Sequence, residues 1–554
     1  MAPSDSEASI IIGIDFGTTF SGVAWTWTGK AENSEIITSW ESQLHTNQDM
    51  EKTPTALHYG SGSRRGTDIT WGYDISEEKE PIRWFELLIV DEEGLPADVR
   101  YSPHIAKARQ QLKEENKTPT EAISIYLRNL WNHSINVITR TVSKSLVNFS
   151  RFHVMREAAG LAGILQRRMV GDTTLTFVSE PEAAALATLA DMSGRKNIKK
   201  RTADLISYNV VTLDPMTVTE VVKGQGGLCG AIFADEAFSK LLESKFGQAA
   251  WNKMKAATRV RILHEEWEQG IKCQYDGRDR TWTIDIPFEC IELSRRRSLK
   301  ELPTIKLTAT EIRQVFRTVT DKIAALVFEQ VTAVQEKQGE KPKYVILVGG
   351  FGRCRFPYED LKERLSEQGI EVLQSRGSGP WTAICRGAVI HATTQQNLNS
   401  IFKVDVQHRI ARASYGIRVL LNPWDRLKYL EEDKVWDDKE QCFKANNQMS
   451  WLLKVGERVK ENSPIRHRYR QLYRDPPRHI WETILVSTGG SPPTRKTASV
   501  RELCKIKWEA IPDFTSLPTF TNSLGEVLYT LRFEVEMTFT AGSIDFAVYR
   551  NGQR

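Results

Sequence analysis

With 554 residues, 40% of them hydrophobic and 26% charged, the chain has room for two to four globular domains, each with its own core. Its 75 basic and 70 acidic residues leave a formal net charge of +5, nearly neutral at this size, so charge gives no argument for a nucleic-acid partner. No apolar run approaches the roughly 18 residues of a membrane span, so no membrane partner is expected.

The first nine residues, MAPSDSEAS, lack the basic-then-apolar pattern of a leader and predict a short tail on a cytoplasmic protein. The seven cysteines (229, 273, 290, 354, 385, 442 and 504) are scattered with no close pair. Free or buried thiols in a reducing compartment follow, with no zinc site.

Ile10 to Trp25 reads IIIGIDFGTTFSGVAW, a β-branched run entering an Asp-Phe-Gly-Thr-Thr turn and an alternating segment leaving it. Gly13 and Gly17 let backbone come close, Thr18 and Thr19 offer hydroxyls and amides, and Asp15 adds a carboxylate. A hairpin tip that holds a phosphate and an ordinary hairpin turn both fit these residues.

Further short strands are predicted at SEIITSW and TPTALHY, and residues 62 to 117 read as mixed and polar. At Thr118 the period changes to helix, with Pro119 at the first position and Glu121 completing a capping box. A second helix is predicted over 152–165, then the strand LTFVSEP and the alanine-rich helix EAAALATLA. That order puts Glu180 at a strand end, where a carboxylate can position water or metal or cap the helix.

Two strands, LISYNVVTL and VTEVVKG, precede the glycine-rich stretch 224–230 and the helix IFADEAFSKLLESKF. Glycines before a helix N-terminus make an anion seat. A helix from Asn252 to about Gly270 brings Glu268 into i,i+4 spacing with Lys272. The strand-like TWTIDIPFECIEL leads to the basic cluster Arg295–Lys300, which reads as a solvated turn. Thr308 and Glu311 cap a long amphipathic helix over 308–336. It feeds the strand and glycine turn YVILVGGFG, with a helix after Pro357. Three glycine-rich strand ends, at 13–19, 224–230 and 349–352, point to a nucleotide held between two α/β lobes.

These segments resemble the actin-like ATPase fold, and within it the divergent Hsp70-like proteins common in fungi. The resemblance is carried by IIGIDFGTTFSGVAW, TPTALHY, SEPEAAALATL, DLISYNV, GGLCGAIF, ILVGGFGRCRFPYEDLKERL and PWTAICRGAVIHA, in family order. It implies an α/β fold with two lobes built on ribonuclease H-like halves, then a smaller β-rich region. The nucleotide-binding domain would span 10–398, with lobe I at about 10–184 plus 370–398 and lobe II at about 200–369. A substrate-binding-like region would fill 399–554.

The resemblance further implies ATP or ADP as ligand, with Mg²⁺ held through water by Asp15. Thr18 and Thr19 would meet the β- and γ-phosphates, beside Gly17, and Glu180 would join Asp15 as a water-orienting carboxylate. Gly227 and Gly230 would pass close to the ribose, with Ala231 replacing a further family glycine. Glu268 and Lys272 would line the adenine side, and Gly349, Gly350 and Gly352 would pack against adenosine. An unfolded client protein is the implied partner, and no segment identifies a cochaperone.

Several departures bear on hydrolysis. Where members carry a second phosphate loop, Asp-x-Gly-Gly-Gly-Thr, this chain reads Asn197-Ile198-Lys199-Lys200-Arg201-Thr202, and side chains there compete for the phosphates' space. Trp84-Phe85-Glu86-Leu87 stands where members show Trp-Phe-Lys-Leu, putting an acid where a lysine orients the attacking water. The strand expected before residue 152 is reduced to LVNFSRFHVM. Weak or absent hydrolysis is therefore expected. A non-catalytic scaffold remains an alternative, and a small-molecule kinase of the same superfamily a more distant one. Near the C-terminus, strands are predicted at 447–453, 480–487, 527–538 and 544–549. No lid helix precedes YRNGQR, so captured peptide would exchange quickly.

Overall fold

A computed structural model describes residues 10–28, 34–40, 42, 50–60, 69–76, 78–89, 100–141, 154–165, 175–193, 202–203, 207–213, 216–227, 229–291, 303–374, 377, 379–396, 404–540 and 543–553. The altered segments 142–153 and 194–201 and the basic cluster 295–300 lie outside them, so the readings placed there carry no structural account. The chain divides into two compact units. One comprises Met1–Thr217 with Gln225–Asp405, the other Val218–Gly224 with Val406–Arg554.

The first unit starts with the predicted hairpin. Strands β1 (Ile10–Phe16) and β2 (Phe20–Trp27) pair antiparallel, with Asp15 opposite Gly22 and Phe16 opposite Ser21. Strand β3 (Glu35–Ile36) and strand β4 (Lys52–Pro54) both add to β2, the latter setting Lys52 against Gly22. Strands β5 (Leu57–Tyr59) and β6 (Ile69–Trp71) form a separate pair. Among the described residues β1 pairs only with β2. A cavity of about 340 Å³ runs beside β1, lined in part by Leu127, Trp131, Leu175, Phe177, Glu180 and His391.

Thr118 accepts from the Glu121 amide and the Glu121 carboxylate accepts from the Thr118 amide. This capping box opens the helix Pro119–Thr141, whose Ile123, Tyr126 and Leu130 are buried against the hairpin's core. Two expectations change here. A helix, Pro103–Glu114, crosses the stretch read as mixed and polar, burying Ile105, Ala108 and Leu112 along one narrow stripe. LTFVSEP forms no strand, and Glu180 opens the helix Glu180–Ser193 with Pro181 behind it. Its carboxylate thus sits at a helix N-terminus, where the backbone dipole favours an anion.

Close backbone approach ties the hairpin to the helix Gly379–Gln395. A Cβ on Gly13 would stand 2.2 Å from the Cys385 carbonyl, and one on Gly387 would stand 1.7 Å from the Ala183 carbonyl. Glycine is required at both positions. Further along, the Thr308–Glu311 capping box starts the helix Ala309–Gln338 as predicted. The expected helix over 252–270 is instead broken into Gln248–Lys253 and Ala256–Arg261 and continues as a wide π-type turn, Ile262–Ile271. Strand Tyr344–Leu347 pairs parallel with Glu371–Gln374. No helix among the described residues is long and apolar enough to cross a membrane.

The second unit is built from strands and two short 3-10 turns in its described residues 406–540 and 543–553. Five strands order as 434–437, 442–453, 414–421, 481–487 and 501–507, and a four-stranded sheet joins 465–473, 519–521, 527–540 and 543–549. Both sheets contribute to one core through Ile417, Leu452, Ile484, Leu531, Val535 and Met537. The four strands predicted near the C-terminus are present, three with longer limits and one, 481–487, a residue shorter. Arg466 and Arg468 on one strand pair with Glu536 and Glu534 on its neighbour at 2.6 and 2.8 Å. These two arginines are therefore neutralised by the partner strand, while Arg470 pairs instead with Glu440.

Candidate functional site

The hairpin turn places Asp15, Gly17, Thr18 and Thr19 at one end of β1 and β2. Thr55 holds this turn by donating its hydroxyl to the Gly17 carbonyl at 2.6 Å and its amide to the Thr19 carbonyl at 2.8 Å. Asp15 is only 2% exposed. Its carboxylate accepts from the ammonium of Lys52, itself 6% exposed. Pairing of β4 with β2 delivers this lysine, and its stem crosses Gly22, where a Cβ would stand 2.8 Å from the Lys52 Cγ.

Two more carboxyls face the same spot. Glu86 accepts from the Thr18 hydroxyl at 2.7 Å. Burial pushes its carboxyl up to about 7, against the Thr18 bond and with Glu180 and Asp15 adding repulsion. Burial likewise raises Glu180 to about 6, with Asp15 raising it further and Lys52 opposing. Asp15, Glu180, Thr18 and Glu86 thus form one electrostatic cluster, into which Lys52 brings a cation.

A second cluster forms around Lys272, which is 3% exposed. Its ammonium contacts Glu268, in the spacing predicted, and also Asp235 at 2.8 Å. Trp267 donates its indole N–H to the same Asp235 oxygen at 2.6 Å. Burial pushes the Asp235 carboxyl up, and Lys272 opposes that shift. The cysteines are free thiols, as expected, and the fold brings Cys273 and Cys354 within hydrogen-bonding reach. Its bond with Cys354 lowers the Cys273 thiol to about 6, and the same bond raises Cys354.

Trp381 joins the hairpin turn to the third glycine turn. Its ring meets Phe20 edge-on at 5.4 Å, lies 4.7 Å from the Lys52 ammonium and 5.0 Å from the Arg353 guanidinium. A Cβ on Gly350 would stand 2.0 Å from the same ring. The 349–352 turn begins with Gly349 at φ +82°, a conformation that favours glycine. Tyr73 makes a second bridge, donating to the Lys52 carbonyl at 3.3 Å while Glu268 acts on its phenol electrostatically. At Gly226, Gly230 and Gly349 the space a Cβ would take is open. Gly227 is instead backed by Leu326, and Gly352 packs against Leu347.

Sequence reasoning missed Lys52, Asp235, Trp267 and Trp381. No spacing rule links Lys52 to Asp15, because a strand pairing across a long connection sets their contact. The residues present do not fit the expected Mg²⁺. Magnesium takes carboxylate oxygens or waters held by them, whereas the Asp15 carboxylate is engaged by an ammonium.

A mixed α/β unit opened by this hairpin, with its glycine turns, has the fold of an actin-like ATPase domain. Human heat shock 70 kDa protein 12B is 23% identical over 499 residues, covering 70% of this chain and 69% of that protein. The chaperone protein DnaK of Thermus thermophilus is 24% identical over 386 residues, covering 69% and 60%. The mitochondrial-type heat shock protein 70 of Encephalitozoon cuniculi is 24% identical over 440 residues, covering 77% and 69%. The chain thus spans between three fifths and seven tenths of these relatives. Residues 409–515, in the second unit, match a domain of unknown function (DUF8568). Over about seven tenths of its length the chain is therefore similar to Hsp70-type chaperones, as its motifs led one to expect.

Proposed function

We propose that residues 10–398 form a nucleotide-binding domain that holds ATP or ADP and hydrolyses ATP weakly or not at all. The phosphates would lie at the hairpin turn 15–19, and the nucleoside toward Glu268, Lys272 and the 349–352 turn. The observation that carries this reading is Trp381, which touches both Lys52 at the phosphate end and Gly350 at the nucleoside end. The open faces of Gly226, Gly230 and Gly349 support it, since backbone can approach a ligand there.

Weak turnover is supported by Glu86. The carboxylate bonded to Thr18 stands beside the hydroxyl expected to meet the terminal phosphates, and a negative group there opposes the charge that develops in phosphoryl transfer. The test is ATP binding by calorimetry alongside a single-turnover assay. Micromolar binding with turnover no faster than the buffer blank supports the reading. Turnover at a rate typical of an active ATPase would overturn the hydrolysis part, and no binding would overturn the whole.

Residues 399–554 are read as a client-binding region of a cytoplasmic chaperone-type protein. Support comes from large apolar side chains exposed close together in sequence: Leu420, Leu421, Leu427, Leu430, Trp436 and Phe443. A scaffold that binds nucleotide without turnover is the second reading, favoured by the same Thr18–Glu86 contact.

A further inference from the structure

We propose that the Lys52 ammonium is a built-in cation for the polyphosphate of a nucleoside di- or triphosphate, so that this chain binds its nucleotide without a divalent metal. The inference rests on the nucleotide reading above and departs from the metal dependence the family implies. Lys52 is held from three sides. Its stem lies across Gly22, its ammonium donates to Asp15, and the Trp381 ring stands 4.7 Å away. Gly22 is what admits it, because a Cβ there would meet the Lys52 stem at 2.8 Å and also its Cε at 3.3 Å.

An ammonium carries three N–H donors, and one is directed at Asp15. On this proposal the others would donate to phosphate oxygens reaching the hairpin turn, in charge-assisted bonds of the strong kind. A dication brought to Asp15 would compete with Lys52 for the same carboxylate and be repelled by its charge at close range. Ion pairs buried this deeply are weak contributors to stability, because desolvation offsets the attraction. A ligand-directed role therefore explains this lysine better than a structural one.

The test is titration of the full chain with ADP, in excess EDTA and again in Mg²⁺. The wild type is expected to bind in both, with affinities within about threefold of one another. Lys52→Met should weaken binding in EDTA by about tenfold or more, while Lys52→Arg keeps most of it. Because Lys52→Met leaves Asp15 buried and unpaired, the neutral pair Asp15→Asn/Lys52→Met supplies a folded comparison and should lose binding equally. Wild-type binding only with Mg²⁺ would overturn this inference and leave the nucleotide reading standing. Binding in neither condition would overturn both. Binding by Lys52→Met in EDTA as tight as wild type would remove the lysine's role.

Discussion

The Thr18 hydroxyl donates to the Glu86 carboxyl group at 2.7 Å, which closes one side of the hairpin turn with an acidic side chain. Thr18 is the hydroxyl expected at the phosphates, and Glu86 stands where the family resemblance implies a lysine. On the reading proposed above, their bond would join these two residues into one obstacle to phosphoryl transfer.

A pH dependence follows from that bond. Glu86 is raised to about 7 and Glu180 to about 6, and the charges facing them are Asp15 and Lys52. Above pH 7 both carboxyls are ionised and repel a polyphosphate, and below pH 6 both are largely protonated. ADP affinity measured by calorimetry should rise about tenfold from pH 8 to pH 6. Glu86→Gln should bind at pH 8 nearly as the wild type does at pH 6. A flat profile in the wild type would contradict this.

The same shift has a sign for stability. Glu86 holds its proton in the folded state to about pH 7, well above the unfolded value of 4.5. Between these values the folded state binds more protons than the unfolded one, so this group's contribution to stability falls as pH rises through that window. Glu86→Gln should therefore raise the Tm more at pH 8 than at pH 5, measured by scanning calorimetry. An equal rise at both would show that its charge is not the cause.

Lys272 pairs with both Asp235 and Glu268 and is almost fully buried. Lys272→Met leaves two carboxylates facing one another with Trp267 bonded to one of them. Urea unfolding should show a loss of about 3 kcal/mol. Asp235→Asn should cost less, because Glu268 still pairs with the lysine.

At Gly387 any side chain meets backbone, with the Ala183 carbonyl 1.7 Å from where a Cβ would sit. Gly387→Val should push the helices Glu180–Ser193 and Gly379–Gln395 apart and cost about 3 kcal/mol or more by urea unfolding. Since Glu180 opens the first of these helices, nucleotide affinity should fall as well. A variant with unchanged stability would rule out this close crossing.

In the second unit, Trp436 and Phe443 meet edge-on at 4.9 Å and both are exposed. Trp436→Ser with Leu427→Ser removes apolar area that no core uses. Binding of a fluorescent apolar peptide, followed by anisotropy, should weaken about tenfold while the melting curve stays put. Unchanged peptide binding would remove this patch from the client reading.

What was legible in the sequence was chiefly local. Thr118 with Glu121 and Thr308 with Glu311 announce their helices through residues three apart, and the structure closes both capping boxes. The β1–β2 hairpin and the strands around 447 and 527 follow from alternation. The Pro103–Glu114 helix was missed because its buried stripe, Ile105, Ala108 and Leu112, is thin and polar residues surround it. LTFVSEP has strand composition, yet strand pairing is decided by a partner and not by composition. Lys52 with Asp15, Cys273 with Cys354, and Trp381 with Gly350 are tertiary meetings of distant segments, which no period or motif encodes.

The most direct test of the nucleotide site is calorimetric titration of the full chain with ATP, wild type beside Gly230→Leu. Nothing lies within 4 Å of a Cβ at Gly230, and the residue is exposed, so the variant should melt like the wild type. The account predicts a wild-type Kd of about 10 μM and at least a tenfold loss in Gly230→Leu. A folded wild type that takes up no ATP, or a Gly230→Leu that binds it equally well, would contradict a nucleotide site at these glycine turns.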